Sequence, residues 1–545
     1  MTHDDTTPSV PATSGDAPEM SWYAWGDPER AKALDPGLRD LIARTLNADF
    51  QDMPPVPEER VELPPSRLDG SLREALAAVV GAEHVRTDDA IRLRRSGGKS
   101  TPDLLLRRAG KADHAPDAVV LPADHDQVQR LLEVCSAERV AVVPFGGGTS
   151  VVGGVTPLRG DFSAVITLDL RRLDRLVSFD PVSLTAVLGA GVRGPRAEEL
   201  LAAKGHTLGH LPQSHEYASI GGYAATRSSG QASSGYGRFE DMVVSLRVAT
   251  PRGAMELGGV PASAAGPDLL QLFLGSEGTF GVITEVGLRV RELPERVLDE
   301  AWSFPDWVTG TSALRELAQS DTRPTMARVL DETETFVGAA MAGHEAIPGC
   351  QAVLGFEGKS EEVETRAAVV REIMIAAGGT PHGPEPVAHW RENRFSSPYL
   401  RDTLLSAGIL AETLETATHW TGLRSLYTAV QGALVDALEG DEGGVVVMCH
   451  VSHTYPTGAS LYFTVATAAG TDPWARWDRA KRAASDAIVA HGGTISHHHA
   501  VGTDHRPWMI DEVGPLGGDV LRAVKTALDP KGVLNPGKLI PVPPR

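Results

Sequence analysis

Apolar positions recur at helical spacing over residues 35–48, where Leu38, Leu41, Ile42 and Leu46 share one side, and again over residues 72–80. From residue 118 the pattern changes repeatedly. Residues 118–121 form a short apolar run that predicts a strand. Asp124 is placed to cap a helix reaching residue 139, with Val128, Leu131, Leu132 and Cys135 inward. Residues 140–143, 164–170 and 185–188 read as further strands, and Gly194-Pro195 opens a helix that ends near Gly205. Residues 243–250, followed by Pro251-Arg252-Gly253, predict a hairpin, and residues 282–290 a strand. Buried strands alternating with helices predict an α+β or α/β layout.

Near Pro294 the glycine clusters stop. Strands are expected over 326–330, 352–356, 445–451 and 461–465, and helices over 361–377 and 474–491. This region reads as a separate α+β domain. Small and polar residues return at Gly492. A helix over 518–528 and the ending Asp529 to Lys538 follow. At the other end, residues 20–26 carry three aromatics and read as an anchored segment. Residues 54–65, rich in proline and glutamate, read as an extended connector.

Composition narrows the picture. A chain of 545 residues is expected to hold more than one domain. Apolar residues at 42% and charged residues at 22% suit a soluble globular protein. A net charge of −20 argues against a nucleic-acid partner and against a basic membrane-binding surface, while leaving room for a local basic pocket. Cys135, Cys350 and Cys449 show neither a disulfide framework nor a zinc-like pair, which points to a reducing cytoplasm. No stretch reaches the ~18 apolar residues of a membrane span. Residues 1–20 lack a signal pattern and are expected to be a disordered tail.

The candidate chemistry begins where the 140–143 strand meets Pro144-Phe145-Gly146-Gly147-Gly148-Thr149-Ser150. Three glycines leave backbone amides bare to an anion, and two hydroxyls add donors. The spacing is neither that of a P-loop nor that of a dinucleotide-binding helix start; the plain alternative is a tight turn. A second stretch, residues 209–237, is dense in Gly and Ser with His, Glu, Tyr and Arg interleaved. It suits close approach to a large flat or phosphorylated ligand; the alternative is a flexible linker. A third glycine-rich patch spans residues 274–285.

In this order, Pro144–Ser150, residues 212–222, Gly275-Ser276-Glu277-Gly278-Thr279-Phe280-Gly281 and Asn535-Pro536-Gly537-Lys538 resemble the FAD-binding domain of vanillyl-alcohol-oxidase-type flavoproteins. Within that superfamily the chain resembles the alkylglycerone-phosphate synthase (alkyl-dihydroxyacetone-phosphate synthase) family. Four segments carry this: Ser21-Trp22-Tyr23-Ala24-Trp25-Gly26, Phe395-Ser396-Ser397-Pro398-Tyr399-Leu400-Arg401-Asp402, residues 449–463, and Ser496-His497-His498-His499-Ala500-Val501-Gly502. Together they cover nearly the whole chain after the tail.

The resemblance implies an α+β fold with a two-subdomain FAD-binding domain and an α+β cap. The expected divisions are a tail at 1–20, an N-terminal helical segment at 21–110, the FAD-binding domain at 111–293, the cap at 294–491 and a C-terminal return to the flavin at 492–545. It implies FAD held by Pro144, Phe145, Gly146, Gly147, Gly148, Thr149 and Ser150. Gln213, Ser214, His215, Glu216, Tyr217, Ala218 and Ser219, then Thr226, Arg227, Ser228 and Ser229, and then Glu277, Gly278, Thr279, Phe280, Gly281, Val282 and Ile283 would line the rest. With no His in the glycine loop, no covalent flavin link is expected there. Tyr462 occupies the place of the catalytic tyrosine and His497, His498 and His499 that of a histidine cluster. Arg401 and Arg328 match substrate-binding arginines.

The implied reaction swaps the acyl group of acyl-dihydroxyacetone phosphate for a fatty alcohol, with flavin N5 as nucleophile and no net redox change. A phenol beside an imidazole can be tuned towards proton transfer at neutral pH, and Arg offers a bidentate fork for phosphate or carboxylate. Each residue also has a plainer reading. Arg401 can pair with Asp402 or Glu392, and Tyr462 can be a core-edge aromatic. The three histidines can be a metal site, but on extended backbone they would alternate faces, and no carboxylate or Cys partner sits at a recognisable spacing; no metal is expected. Departures from the family pattern are Gln213, His453, Thr503-Asp504 and the Asn-Pro-Gly-Lys ending, which is closer to the dehydrogenase branch. The alternative function is therefore an FAD-dependent oxidoreductase of a 2-hydroxy acid or alcohol; a non-catalytic flavin-binding scaffold is a third. Expected partners are a small-molecule lipid or hydroxy-acid substrate and no nucleic acid. Peripheral membrane contact and a homodimer stay open.

Overall fold

A computed structural model describes residues 19–343, 347–440 and 443–541. Most of the tail expected over 1–20 therefore lies outside the described residues. Its last two residues are anchored: Glu19 pairs with Arg95 at 3.2 Å and Arg171 at 2.6 Å, and Met20 packs beside buried Trp25.

The first sheet contains β1 (Val85–Arg86), β2 (Ala118–Val120), β3 (Val140–Phe145) and β4 (Ala164–Asp169) in the order β1-β2-β4-β3. β2, β4 and β3 run parallel. They are almost wholly buried, which is why they read as unbroken apolar runs rather than alternating ones. The helix His125–Ala137, capped by Asp124, covers this sheet with Val128, Leu131, Leu132 and Cys135 buried. The C-terminal segment returns to its edge: the Val142 N–H donates to the Val533 carbonyl, and the Asn535 N–H to the Val142 carbonyl, both at 2.8 Å.

The second region contains β5 (Leu176–Asp180), β6 (Thr185–Gly189), β7 (His206–Thr207), β8 (Val243–Thr250), β9 (Gly253–Gly258), β10 (Val282–Arg289) and β11 (Arg291–Glu292). Five of these form an antiparallel sheet in the order β5-β6-β10-β8-β9, and β7 pairs with β11. The hairpin expected at Pro251-Arg252 joins β8 to β9. One apolar core joins both sheets, from Leu76 through Ile166 and Val248 to Leu534.

β12 (Arg296–Phe304), β13 (Met326–Leu330), β14 (Cys350–Gly358), β15 (Thr380–Gly383), β16 (Ile409–His419), β17 (Val445–Tyr455) and β18 (Gly458–Ala468) build a seven-stranded antiparallel sheet in the order β15-β12-β14-β13-β17-β18-β16. The helices Trp307–Gln319, Ser360–Ala376, Leu423–Leu438 and Pro473–Ala490 bury their apolar stripes on one face, against Val329, Val451, Leu461 and Phe463. Side chains alternate along a strand, so Arg328, His450 and Tyr462 project from the opposite face. Glu415 joins them, because it pairs in register with Tyr462 across β16–β18, as His450 does across β17–β18.

The helix expected over 518–528 is longer, Met509–Leu528, and kinks at Gly514 (φ 73°) beside Pro515; the Gly-Pro pair masks its first turns in the sequence. The N-terminal segment bridges the two domains. Leu72, Leu76 and Val80 enter the first core, while Leu46 packs with Ala407 and Ile409. No helix among the described residues is long and apolar enough to cross a membrane.

Candidate active site

The glycine loop leaves β3 and runs against residues 213–219. A Cβ at Gly147 would strike the Tyr217 carbonyl oxygen, and one at Gly148 (φ +70°) the Phe145 ring, so neither position accepts a side chain. The Ser150 hydroxyl accepts from the Gly154 N–H at 2.8 Å, and its carbonyl from the Lys99 N–H at 2.6 Å. Behind the loop, Arg95 stacks on Phe145 at 4.7 Å and pairs with buried Asp169 at 2.9 Å. Pro144 and Thr149 are half-buried. The third patch closes the wall through Glu277, fully buried on positive φ (52°). Its carboxylate accepts from the N–H groups of Val501 (2.9 Å) and Gly502 (2.8 Å). Asn535 Nδ2 donates to the carbonyls of Glu277 (2.6 Å) and Gly154 (3.0 Å). Three chain regions hundreds of residues apart are thus pinned edge to edge.

Along this wall Gln213 Nε2, Ser229 Oγ, Ser276 Oγ, Thr279 Oγ1 and Asn535 Oδ1 are buried without a protein hydrogen-bond partner. Buried polar atoms are ordinarily paired, so a concentration of orphans beside bare glycine amides fits a polar, phosphate-bearing cofactor. Not every expected lining residue faces that wall. Glu216 turns out to Arg30 (2.8 Å), the Tyr217 hydroxyl meets that of Tyr399 (3.2 Å), and Arg227 donates to the Leu274 carbonyl (3.1 Å). Ser219 caps the helix Ile220–Thr226, Ser228 bonds His210 (3.1 Å), and His215 stacks on Phe395 at 5.6 Å. Ser214 accepts the N–H groups of Tyr217 and Ala218 through its carbonyl. Thr226 bonds back to the Gly222 carbonyl. Gly278, Phe280, Gly281, Val282 and Ile283 are buried as the chain enters β10.

The polar face of the seven-stranded sheet supplies the second wall. Tyr462 is stacked between His450 (4.9 Å between ring centres) and His498 (6.1 Å), with His499 edge-on at 5.7 Å. Burial raises the Tyr462 phenol to about 12. The expected tuning towards neutral pH is therefore corrected: desolvation keeps the phenol protonated there. Arg328 lies on the same face, half-buried, stacked over Trp390 at 5.1 Å, with its buried Nε lacking a protein partner. His450 is oriented by Glu334 at 2.8 Å.

The expected face alternation of the three histidines is also corrected. Residues 497–499 bend around a carboxylate instead of running straight, so their rings stay together. Glu415, with its side chain fully buried, accepts the N–H groups of His497 (2.6 Å), His498 (2.9 Å) and His499 (2.7 Å) and the Ser496 hydroxyl (2.9 Å). Burial opposes its charge, but the imidazoles and these donors outweigh it and hold the carboxyl well below its usual range. Burial drives His497 down to about 3 and lowers His498 and His499, against the opposing pull of Glu415. Glu415 is 82 residues from His497, which is why no local spacing announced it. Imidazole nitrogens of His453, His497 and His498 lie within 4.8 Å of one another, close enough to hold a metal ion. His453 and His497 are already hydrogen-bonded, to the Gly230 carbonyl (3.0 Å) and the Tyr455 hydroxyl (2.6 Å).

Arg401 sits elsewhere. It pairs with Asp402 at 2.9 Å and donates to the Lys99 carbonyl at 2.8 Å, in the cluster that holds the N-terminal segment through the Asp402–Trp25 N–H bond. The structure thus brings Tyr462, Arg328 and the three histidines together, and places Arg401 with Lys99 and Asp402.

Residues 116–258 match the model of an FAD binding domain, and residues 293–539 that of the C-terminal domain of FAD linked oxidases. The alkyldihydroxyacetonephosphate synthase of Dictyostelium discoideum is 32% identical over 96% of this chain and 94% of its own length. That of Trypanosoma brucei brucei is 33% identical over 96% and 93%. The chain belongs to the alkyldihydroxyacetonephosphate synthase family. A solved structure of such a synthase superposes with a TM-score of 0.82 at 30% identity, covering 96% of this chain and 99% of the other. The protein is an FAD-dependent enzyme, and the expected architecture of an FAD-binding domain with an α+β cap is the one observed.

Proposed function

We propose that this enzyme exchanges the acyl group of an acyl-dihydroxyacetone phosphate for a fatty alcohol, forming an ether lipid precursor. The observation that carries the reading is the polar face around Tyr462: a half-buried phenol between two imidazoles, with Arg328, whose Nε lacks a protein partner, on the same face. Bound FAD supplies the flavin ring at which the exchange occurs without net oxidation. The protein's residues supply the rest. The loop at 146–150 and the orphan donors of Gln213, Ser229, Ser276 and Thr279 hold the cofactor. Arg328, with an unpaired guanidinium N–H, binds the phosphate or the departing carboxylate. Tyr462 gives and retakes a proton at the substrate carbon, with the imidazoles of His450 and His498 stacked against its ring. Arg401 supports the substrate side at a distance, by fixing the N-terminal segment.

The alternative hydroxy-acid oxidoreductase draws on the Asn-Pro-Gly-Lys ending. In the fold that ending is structural: Asn535 bridges two loops, and Lys538 Nζ donates to the Thr156 carbonyl at 2.9 Å. It carries no redox signal. Anaerobic mixing with a panel of 2-hydroxy acids tests the choice: the flavin spectrum should persist, and lasting bleaching by any of them would overturn the exchange reading.

A further inference from the structure

The C–O bond to the fatty acid breaks and the acid leaves as a carboxylate with the bonding electrons. The alcohol oxygen forms the new C–O bond and loses its hydrogen. One proton is therefore left over in a buried site on every turnover. From the hydrogen-bonded geometry we infer that Tyr455, through His497 and His498, is the exit for that proton. This rests on the proposed exchange activity.

The hydrogen bonds from His498 to Tyr455 are continuous. His498 stacks on Tyr462. His498 Nδ1 lies 2.9 Å from His497 Nδ1, and His497 Nε2 lies 2.6 Å from the Tyr455 hydroxyl. Two ring nitrogens at hydrogen-bond distance need one proton between them, and that proton can sit on either ring. In one arrangement the tyrosine hydroxyl donates to His497, which donates to His498. In the other, His498 donates to His497, which donates to the tyrosine oxygen, whose own hydrogen is then free to leave. A proton taken up at the far nitrogen of His498 in this second arrangement shifts one proton outward across each link and releases the tyrosine's own hydrogen, leaving the first arrangement, without moving a heavy atom. The backbone of the relay is fixed: Glu415 and Arg238 hold His497 by its N–H and its carbonyl, each at 2.6 Å. The Trp420 indole N–H donates to the Tyr455 carbonyl at 3.0 Å.

Tyr455 lines a surface cleft of about 480 Å³ with Thr457, Thr494, Asp511 and Glu512. Asp511 on the wall of that cleft offers an acceptor, while Glu512 already accepts from the Thr494 hydroxyl (2.7 Å) and the Ile495 N–H (2.9 Å). Arg238, Glu240 and Asp241 face Tyr455 from the helical turn Phe239–Met242 and its cap, and Glu415 from β16. Tyr455 does not touch Tyr462 in this arrangement and is a positioning and relay residue.

The test is Tyr455→Phe, assayed for fatty acid release and for proton release with an indicator, in dilute buffer and with added imidazole. The expected result is flavin loading as in the wild type, unchanged KM, a kcat lower by on the order of 10- to 100-fold in dilute buffer, and recovery with rising imidazole. A structural defect would not be rescued by a small base. Wild-type activity in Tyr455→Phe, or a loss that imidazole leaves untouched, overturns the relay alone. A wild-type enzyme that releases no fatty acid overturns the exchange reading, and the relay with it.

Discussion

Glu415→Gln is the sharpest perturbation of the site, because it changes one buried oxygen and almost no volume. One oxygen of Glu415 accepts from Ser496, His498 and His499, and the other from His497 alone. In the better amide orientation, the glutamine carbonyl keeps the first three bonds and its NH₂ confronts the His497 N–H. One buried donor is then orphaned, at about 1–3 kcal/mol. The three remaining bonds pass from ionic to neutral and weaken. Relief of the buried charge offsets part of this. The net local loss is about 2–4 kcal/mol, or roughly 30- to 1,000-fold in the opening equilibrium of the 497–499 turn. Amide hydrogen exchange followed by mass spectrometry reads this directly. Peptides covering 497–499 should exchange faster by that factor, while those covering β3 should not change. Unaltered exchange at 497–499 would refute the claim that this carboxylate builds the turn. The pH dependence follows the same logic. The folded Glu415 carboxyl lies below its unfolded value of 4.5, so its stabilisation is complete above that value and is lost as pH falls through the lowered one. Protection of 497–499, taken against the intrinsic exchange rate at each pH, should fall on acidification in the wild type, and much less in Glu415→Gln.

Three further outcomes are expected. Tyr462→Phe should lower kcat on the order of 10²- to 10⁴-fold while the visible spectrum shows normal flavin content. Arg328→Met should cost ~1.5–3 kcal/mol in kcat/KM, about 10- to 100-fold, and Arg328→Lys should recover little of it because the fork is lost; steady-state kinetics with the phosphorylated substrate reads both. Gly147→Ala should empty the cofactor site, since its methyl would strike the Tyr217 carbonyl, and the purified variant should be colourless while retaining the circular dichroism of the wild type.

Much of the fold was legible in the sequence because its signals are local. The buried strands β2, β3 and β4 and the Asp124-capped helix show in runs and caps of a few residues. So do the β8–β9 turn and the apolar strands β13, β14, β17 and β18. β12 and β16 were missed, and the reason is physical: each carries charged residues inside the strand (Asp299 and Glu300, Glu412 and Glu415), on both faces, which breaks the apolar pattern. The residues with unusual chemistry, Tyr462 and His497–His499, stood out as types in a motif. Their partners did not. Glu415 and His450 meet Tyr462 through sheet register, and Tyr455 meets His497 through the return of the C-terminal segment. Neither relation has a sequence spacing. Arg401 shows the converse: its motif is conspicuous, but Asp402 one residue away satisfies it.

The central claim is that the site exchanges groups without consuming the flavin's oxidising power. Incubating the holoenzyme with acyl-dihydroxyacetone phosphate and radiolabelled fatty alcohol, under anaerobic conditions and with the flavin spectrum recorded throughout, tests it most directly. Many equivalents of labelled alkyl-dihydroxyacetone phosphate per flavin, one fatty acid released for each, and an oxidised spectrum at the end are expected. No label in the product, or turnover that stops after one flavin equivalent with the flavin reduced, would contradict it.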